Sequence, residues 1–353
     1  MTYTKDTQSV RKGEELNERD ILSFLKENLD VPTGELVIRQ FGAGHSNLTY
    51  ELNVGGKWKA VLRRPPMGPV APKAHDMERE YKVLSALHPF YSLAPKPLIY
   101  DSGDVLGVPF FVMERREGIV YDQQFPEGVE PSAELGREIS ETMVNRLVDL
   151  HSIDYKQTSL VNMVKPEGFM ERQVHGWIKR YDRARTDDVV SGERLKKWLS
   201  SHIPSSNHAS IIHYDYKLNN AMFSREHPSK MVGLFDWEMT TVGDPLADLG
   251  AAMSYWIEAD DPSLLQHGLG KEPLTINEGF YTREQFIQAY AERSGRDIQD
   301  IHVYLTFAYF KLAGIIQQIY YRYKQGQTED PRFSQMNKFV NNLIQHAEET
   351  AGL

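Results

Sequence analysis

The spacing of apolar residues changes twice along the chain. Asn17 and Asp20 start a helix that runs to about Leu29, where Val31-Pro32 stops it. A period of two follows. Val37 to Phe41 reads as a short strand, and Leu48, Tyr50, Leu52 and Val54 alternate with polar neighbours as in a half-buried strand. Gly55-Gly56 supplies the positive φ values of a tight hairpin turn, after which Trp58, Ala60 and Leu62 continue the alternation to Arg63. A Pro-rich loop from Pro65 to Pro72 leads into HDMEREYKVLSAL, whose Met77, Tyr81, Leu84 and Leu87 form one helical stripe. One more strand, VPFFVME, ends at Glu114.

From about residue 115 the text is helical. Gly136–His151, Glu171–Arg185 and Arg283–Arg293 are amphipathic, and Ile301–Lys324 reads as a long buried helix. No internal repeat or low-complexity segment interrupts this order. The expected class is α+β, with a β-rich lobe over residues 1–114 and a larger helical lobe over residues 115–353.

Composition narrows the chemistry. Apolar residues are 41% and charged residues 25% of 353, ordinary for a globular protein. The 40 basic against 49 acidic residues give a net charge of −9, which argues against a nucleic-acid-binding face. The absence of cysteine removes disulfides, thiolate nucleophiles and Cys-based metal sites. The N-terminal MTYTKDTQSVRKGEELNERD lacks the apolar core of a secretory signal, and no apolar run is long enough to span a membrane. A cytoplasmic protein without a membrane partner is expected.

The chemistry concentrates in residues 211–248, IIHYDYKLNNAMFSREHPSKMVGLFDWEMTTVGDPLAD. Ala221–Phe223 and Met231–Phe235 read as the two strands of a hairpin around a polar turn. Asn220 and Asp236 flank its mouth, so an antiparallel pairing makes them neighbours. A side-chain amide and a carboxylate suit a hard cation such as Mg²⁺ that shares phosphate oxygens. Asp215 lies one loop upstream, able to orient a substrate hydroxyl, and Lys217 can reach a phosphoryl group. This set fits phosphoryl transfer from a nucleotide. His213 is read as a residue that holds the loop. Asp244-Pro245 is a good helix start, and Asp248 is expected to brace the catalytic loop through backbone bonds.

His213-x-Asp215-x4-Asn220, Asp236-Trp237-Glu238 and Gly243–Asp248 resemble the aminoglycoside phosphotransferase family of small-molecule kinases, over about residues 35–330. The resemblance implies a protein-kinase-like bilobal fold, ATP as donor with GTP open, and Mg²⁺ as cofactor. By that likeness Asp215 is the catalytic base, and Asn220 and Asp236 are the Mg²⁺ ligands. Arg63 stands where kinases carry the phosphate-gripping lysine, with Glu80 as its expected partner. Arg keeps the charge but presents a planar fork, so the exchange is not neutral. The loop Gly42–Asn47 is a candidate phosphate cover through backbone N–H groups at Gly42 and Gly44, with Ser46 and Asn47 as side-chain donors. The Phe110–Arg115 hinge would meet the adenine through backbone groups near Glu114, with Met113 lining the pocket. Tyr214 is a second departure, since relatives often place Gly there.

Fold does not give substrate. Gly44–Tyr50, Val61–Pro66, Glu171–Gln173 with Trp177, and FKLAGIIQQIYYRY are similar to the branch of kinase domains associated with acyl-CoA dehydrogenases. That branch implies a small-molecule hydroxyl substrate, a 4-hydroxyacyl-CoA thioester, with Lys311, Arg322 and Lys324 as candidates for the CoA phosphates. Aminoglycoside kinases, choline- or homoserine-type kinases and a non-catalytic pseudokinase are the competing readings.

Overall fold

The computed structural model describes residues 6–42, 47–67, 75–122, 124–205, 208–267, 273–328 and 330–353, leaving out the side chains of residues 264 and 267. The chain divides into two compact units. The first comprises Met1–Ile119, Met222–Arg225 and Met231–Glu238, and the second Val120–Ala221, Glu226–Lys230 and Met239–Leu353.

The first unit holds β1 (Thr7–Gln8), α1 (Glu18–Asn28), β2 (Leu36–Phe41), β3 (Leu48–Val54), β4 (Trp58–Arg64), α2 (Met77–Leu87), β5 (Pro97–Asp101) and β6 (Phe110–Glu114). The strands form one antiparallel sheet of order β1-β2-β3-β4-β6-β5. Gly55 and Gly56 carry φ of 60° and 71° at the β3–β4 turn, where a side chain would be strained. Asn17 caps α1 by accepting from the N–H groups of Arg19 and Asp20. Ile21 and Leu25 of α1 then pack on Tyr50, Leu52, Ala60, Leu62, Phe110 and Val112, closing one face of the sheet. Asp76 caps α2 through Arg79 N, and the helix brings Glu80 into the interior.

β5 escaped the sequence reading. It is an edge strand beginning at a proline, with a register shift between Pro97 and Ile99, so it carries no clean alternation.

The second unit is mainly helical. β7 (Ile119–Val120) leads into α3 (Ala133–His151), α4 (Phe169–Ala184) and α5 (Glu193–Ser201). Next come β8 (Ser210–Ile212), then β9 (Ala221–Phe223) and β10 (Met231–Leu234), which fall in the first unit from Met222 on, and β11 (Thr241–Gly243), back in the second. The chain ends with α6 (Pro245–Tyr255), the short α7 (Ser263–His267), α8 (Arg283–Ser294), α9 (Ile301–Lys324) and α10 (Met336–Thr350). α9 is the buried axis, with α4, α6 and α10 packed around it. Gly250 lets α6 approach α9 closely, because a Cβ there would lie 2.9 Å from the Tyr304 backbone. α5 and α10 were not read from sequence. No described helix is long and apolar enough to cross a membrane.

Candidate active site

Two short strands set the loop that carries His213 to Asn220. β8 pairs antiparallel with β11, Ile212 opposite Thr241, so the chain leaves the sheet at His213 with a fixed direction. Asp244 caps α6 by accepting from Leu246 N at 2.9 Å, and Pro245 begins that helix. One turn on, the fully buried Asp248 accepts from His213 N at 2.7 Å and Tyr214 N at 2.8 Å. His151 Nε2 lies 3.1 Å from the same carboxylate, and its Nδ1 lies 2.7 Å from Tyr290 Oη. Burial by itself would raise the Asp248 pKa. The hydrogen bonds and charge from His151, with the His213 N–H, outweigh it and hold the carboxyl below its usual range. The expected brace is therefore present.

Tyr214 adopts φ +67°, a strained conformation for a bulky side chain. Its ring packs on Phe169 with centroids 5.8 Å apart, and its hydroxyl lies 3.4 Å from Gln173 Oε1. His213 is buried and its Nδ1 accepts from Asp215 N at 3.3 Å, a scaffold role. Lys217 Nζ lies 3.0 Å from Asp215 Oδ2 and 4.8 Å from the centre of the Tyr255 ring. Asn220 Nδ2 donates at 2.9 Å to both the carboxylate and the backbone carbonyl of Asp215. Asp215, Lys217 and Asn220 thus form one polar cluster. Because the amide nitrogen is committed to Asp215, the oxygen is the Asn220 atom suited to a cation.

The first unit gathers a second cluster. Arg63, opposite Phe111 in the β4–β6 ladder, sends Nη2 to Asp236 Oδ1 at 2.7 Å. Its Nε is 3.3 Å from Glu80 Oε2, and its Nη2 is 3.7 Å from Glu238 Oε2. Three carboxylates therefore face one guanidinium. Arg63 Nε and Glu80 Oε2 are buried and make no hydrogen bond to each other or to another described group. Burial pushes the Glu80 carboxyl up to about 7 despite Arg63, and Asp236 and Glu238 add to the rise. Burial opposes the charge on Arg63, but the surrounding carboxylates win and raise its pKa. Asp236, like Tyr214, is a non-glycine residue at positive φ, 66°. Held strain of this kind is common at functional sites.

Gly42 accepts from Arg11 Nη2 through its carbonyl. Gly44 and Ser46 lie outside the described residues. Asn47 is buried, with its amide nitrogen 3.1 Å from Glu238 Oε2 and its oxygen 2.8 Å from His75 Nδ1. Met113 is buried opposite Val61. Glu114 stands opposite Ala60, and its N–H donates to Lys96 O at 2.8 Å. Lys311 is buried against Tyr214, which removes it from the cations open to a CoA phosphate. Arg322 and Lys324 are exposed.

Beside Lys217 the second unit contains a cavity of about 200 Å³. Its wall is mainly apolar, with Ala252, Trp256, Ile257, Leu312 and Ile316 among its lining residues. Sequence reading missed this cavity, because its lining is drawn from segments far apart in the chain. It also assigned no role to Glu238, although Asp236-Trp237-Glu238 had marked the place. Among the described residues, no group of three or more His, Cys, Asp or Glu side chains is arranged to hold a metal.

The first unit carries an Arg–Glu pair on its β-sheet, and the second carries an Asp–Lys–Asn loop; these are features of a kinase-like fold. The chain matches the phosphotransferase enzyme family (APH) over residues 37–272 and belongs to it. A solved structure from Ralstonia eutropha JMP134, provisionally named an aminoglycoside phosphotransferase, is 28% identical. It aligns with a TM-score of 0.79 over 96% of this chain and 99% of that one. Choline kinase from Cryptosporidium parvum shares the fold, with a TM-score of 0.63, 12% identity and 95% of each chain covered. Mouse acyl-CoA dehydrogenase family member 10 is 32% identical over 351 residues, 97% of this chain. The chain spans only 32% of the length of that relative. It is thus a member of the APH phosphotransferase family, similar over nearly its whole length to a protein named for the acyl-CoA dehydrogenases.

Proposed function

We propose that the chain is an ATP- and Mg²⁺-dependent kinase whose acceptor is the hydroxyl of a hydroxyacyl-CoA thioester. The observation that carries the acceptor class is the apolar cavity beside Lys217. An acyl chain gains by leaving water for such a wall, whereas a polycationic sugar would lose its hydration there. The name of the mouse relative points the same way.

Asp215 is the base in this reading. Its carboxylate takes the proton as the substrate oxygen attacks the γ-phosphorus and the bond to the β-phosphate oxygen breaks, releasing ADP. Lys217 holds Asp215 and meets the transferring phosphoryl group. Asn220, through its amide oxygen, and Asp236 would hold the cation. The donor set fits Mg²⁺: the ligands are hard oxygens, and three carboxylates around Arg63 leave negative charge that one guanidinium does not balance. When bound, the ion neutralises phosphate charge. Arg63, held by Glu80, grips the α- and β-phosphates, and Glu238 is kept in place by Asn47. Gly42 borders the phosphates, and Met113 and Glu114 border the adenine.

Coupled ADP release against hydroxyacyl-CoAs, aminoglycosides and amino alcohols tests the assignment. Turnover of a CoA ester is expected. Turnover of an aminoglycoside or amino alcohol with no CoA ester accepted would overturn the acceptor class.

A further inference from the structure

Lys311 is a single lysine inside an otherwise apolar stretch of α9, and it is 5% exposed. Among the described residues its only hydrogen bond goes to the carbonyl oxygen of Tyr214, at 3.3 Å. Its Nζ also stands 3.2 Å from the centre of the Tyr214 ring. Burying an ammonium costs stability, and a methionine of similar shape would fill the same space without that cost. The contact made in return lies at an informative place. The Tyr214 carbonyl belongs to the same peptide unit as the Asp215 N–H, and that N–H donates to His213 Nδ1 at 3.3 Å. This peptide plane is therefore held at both ends, by Lys311 and by His213. Asp215 grows from it, and Tyr214 just before it sits at φ +67°.

We propose that Lys311 is a positioning residue, which clamps the Tyr214–Asp215 peptide plane and so aims the Asp215 carboxylate at the acceptor hydroxyl. The inference rests on Asp215 being the base. The charge state of Lys311 is poised to change near neutrality. Burial pulls the Lys311 ammonium down to about 7, against the pull of Asp215 and of Asp248 on α6. Lys217 in the loop and Arg180 on α4 repel it further. The charged form holds both the carbonyl and the ring, so kcat should fall as pH rises through about 7.

The test uses the full chain, Lys311→Met and Lys311→Arg, and a hydroxyacyl-CoA that the native protein turns over. Lys311→Met should lower kcat by about tenfold to 10²-fold, the scale of a small misplacement, with the KM for ATP little changed. Its Tm should be equal or higher, because the depressed lysine pKa costs the folded state below the unfolded value. Lys311→Arg should recover part of kcat and lose the transition near neutrality, since Arg stays charged. A folded Lys311→Met with native kcat overturns the proposal while leaving Asp215 as base. So does a loss of activity that only follows a lowered Tm. If Lys311→Met does not fold, a native pH profile in Lys311→Arg overturns it. A native protein that phosphorylates no acceptor removes the role of Asp215, and this proposal with it.

Discussion

The carboxylate of Asp248 accepts the backbone N–H of Tyr214 at 2.8 Å across 34 positions of sequence. With the second bond, to His213 N, it turns a helix residue into the floor of the loop that carries Asp215. Asp248→Ala should leave two buried N–H groups without acceptors. Each such group costs about 1–3 kcal/mol, so chemical denaturation should show a loss of several kcal/mol. A variant as stable as the native protein would remove Asp248 from this role.

Asp215→Asn keeps the size and loses the proton acceptor. Its kcat should fall by roughly 10²–10⁴, the usual worth of general-base help. Circular dichroism should confirm an unchanged fold. A folded variant with native kcat would mean that another group takes the proton.

Glu80 gives a dependence on pH with a definite sign. Its folded pKa is about 7 against 4.5 for the free side chain. Between those values the folded state holds a proton that the unfolded chain has released. This group therefore contributes less stability as pH rises through that window. Glu80→Gln should gain stability relative to the native protein on going from about pH 5 to about pH 7.5. Urea unfolding at both pH values checks this, and a difference that does not vary with pH would contradict it.

The acyl-chain role of the cavity can be tested by filling it. Ala252 is buried on α6 and lines the cavity beside Trp256. Ala252→Phe should reduce kcat/KM for long-chain acceptors much more than for short ones. Each buried methylene that no longer fits is worth about 1–3 kcal/mol, or roughly 10–200-fold. An equal loss at every chain length would assign the cavity to something other than the chain.

The local text made much of the fold legible. Gly55-Gly56, the alternation of Leu48 to Val54 and the Asp244-Pro245 helix start all read correctly, because turn, strand and cap chemistry act between near neighbours. α10 and the edge strand β5 did not. The one follows the Pro331–Gln335 turn without a signal that the reading used, and the other is irregular. Asp215, Lys217 and Asn220 were visible as a motif, and the structure brings those three together. The sequence pairs Arg63 with Glu80 but does not reveal the tighter bond to Asp236, since 173 positions separate them.

By itself the sequence determined the α+β class, the family, and the segment that holds the polar chemistry, because these depend on residue types at short, fixed spacings. Tertiary structure decided what surrounds them. It placed Asp248 under His213 and Tyr214, gathered Glu80, Asp236 and Glu238 on Arg63, and assembled an apolar cavity beside Lys217. It also turned Lys311 from a candidate for a CoA phosphate into a buried donor to the Tyr214 carbonyl. Burial and charge crowding depend on chain segments that meet only in the folded state, and no spacing along the chain encodes that meeting.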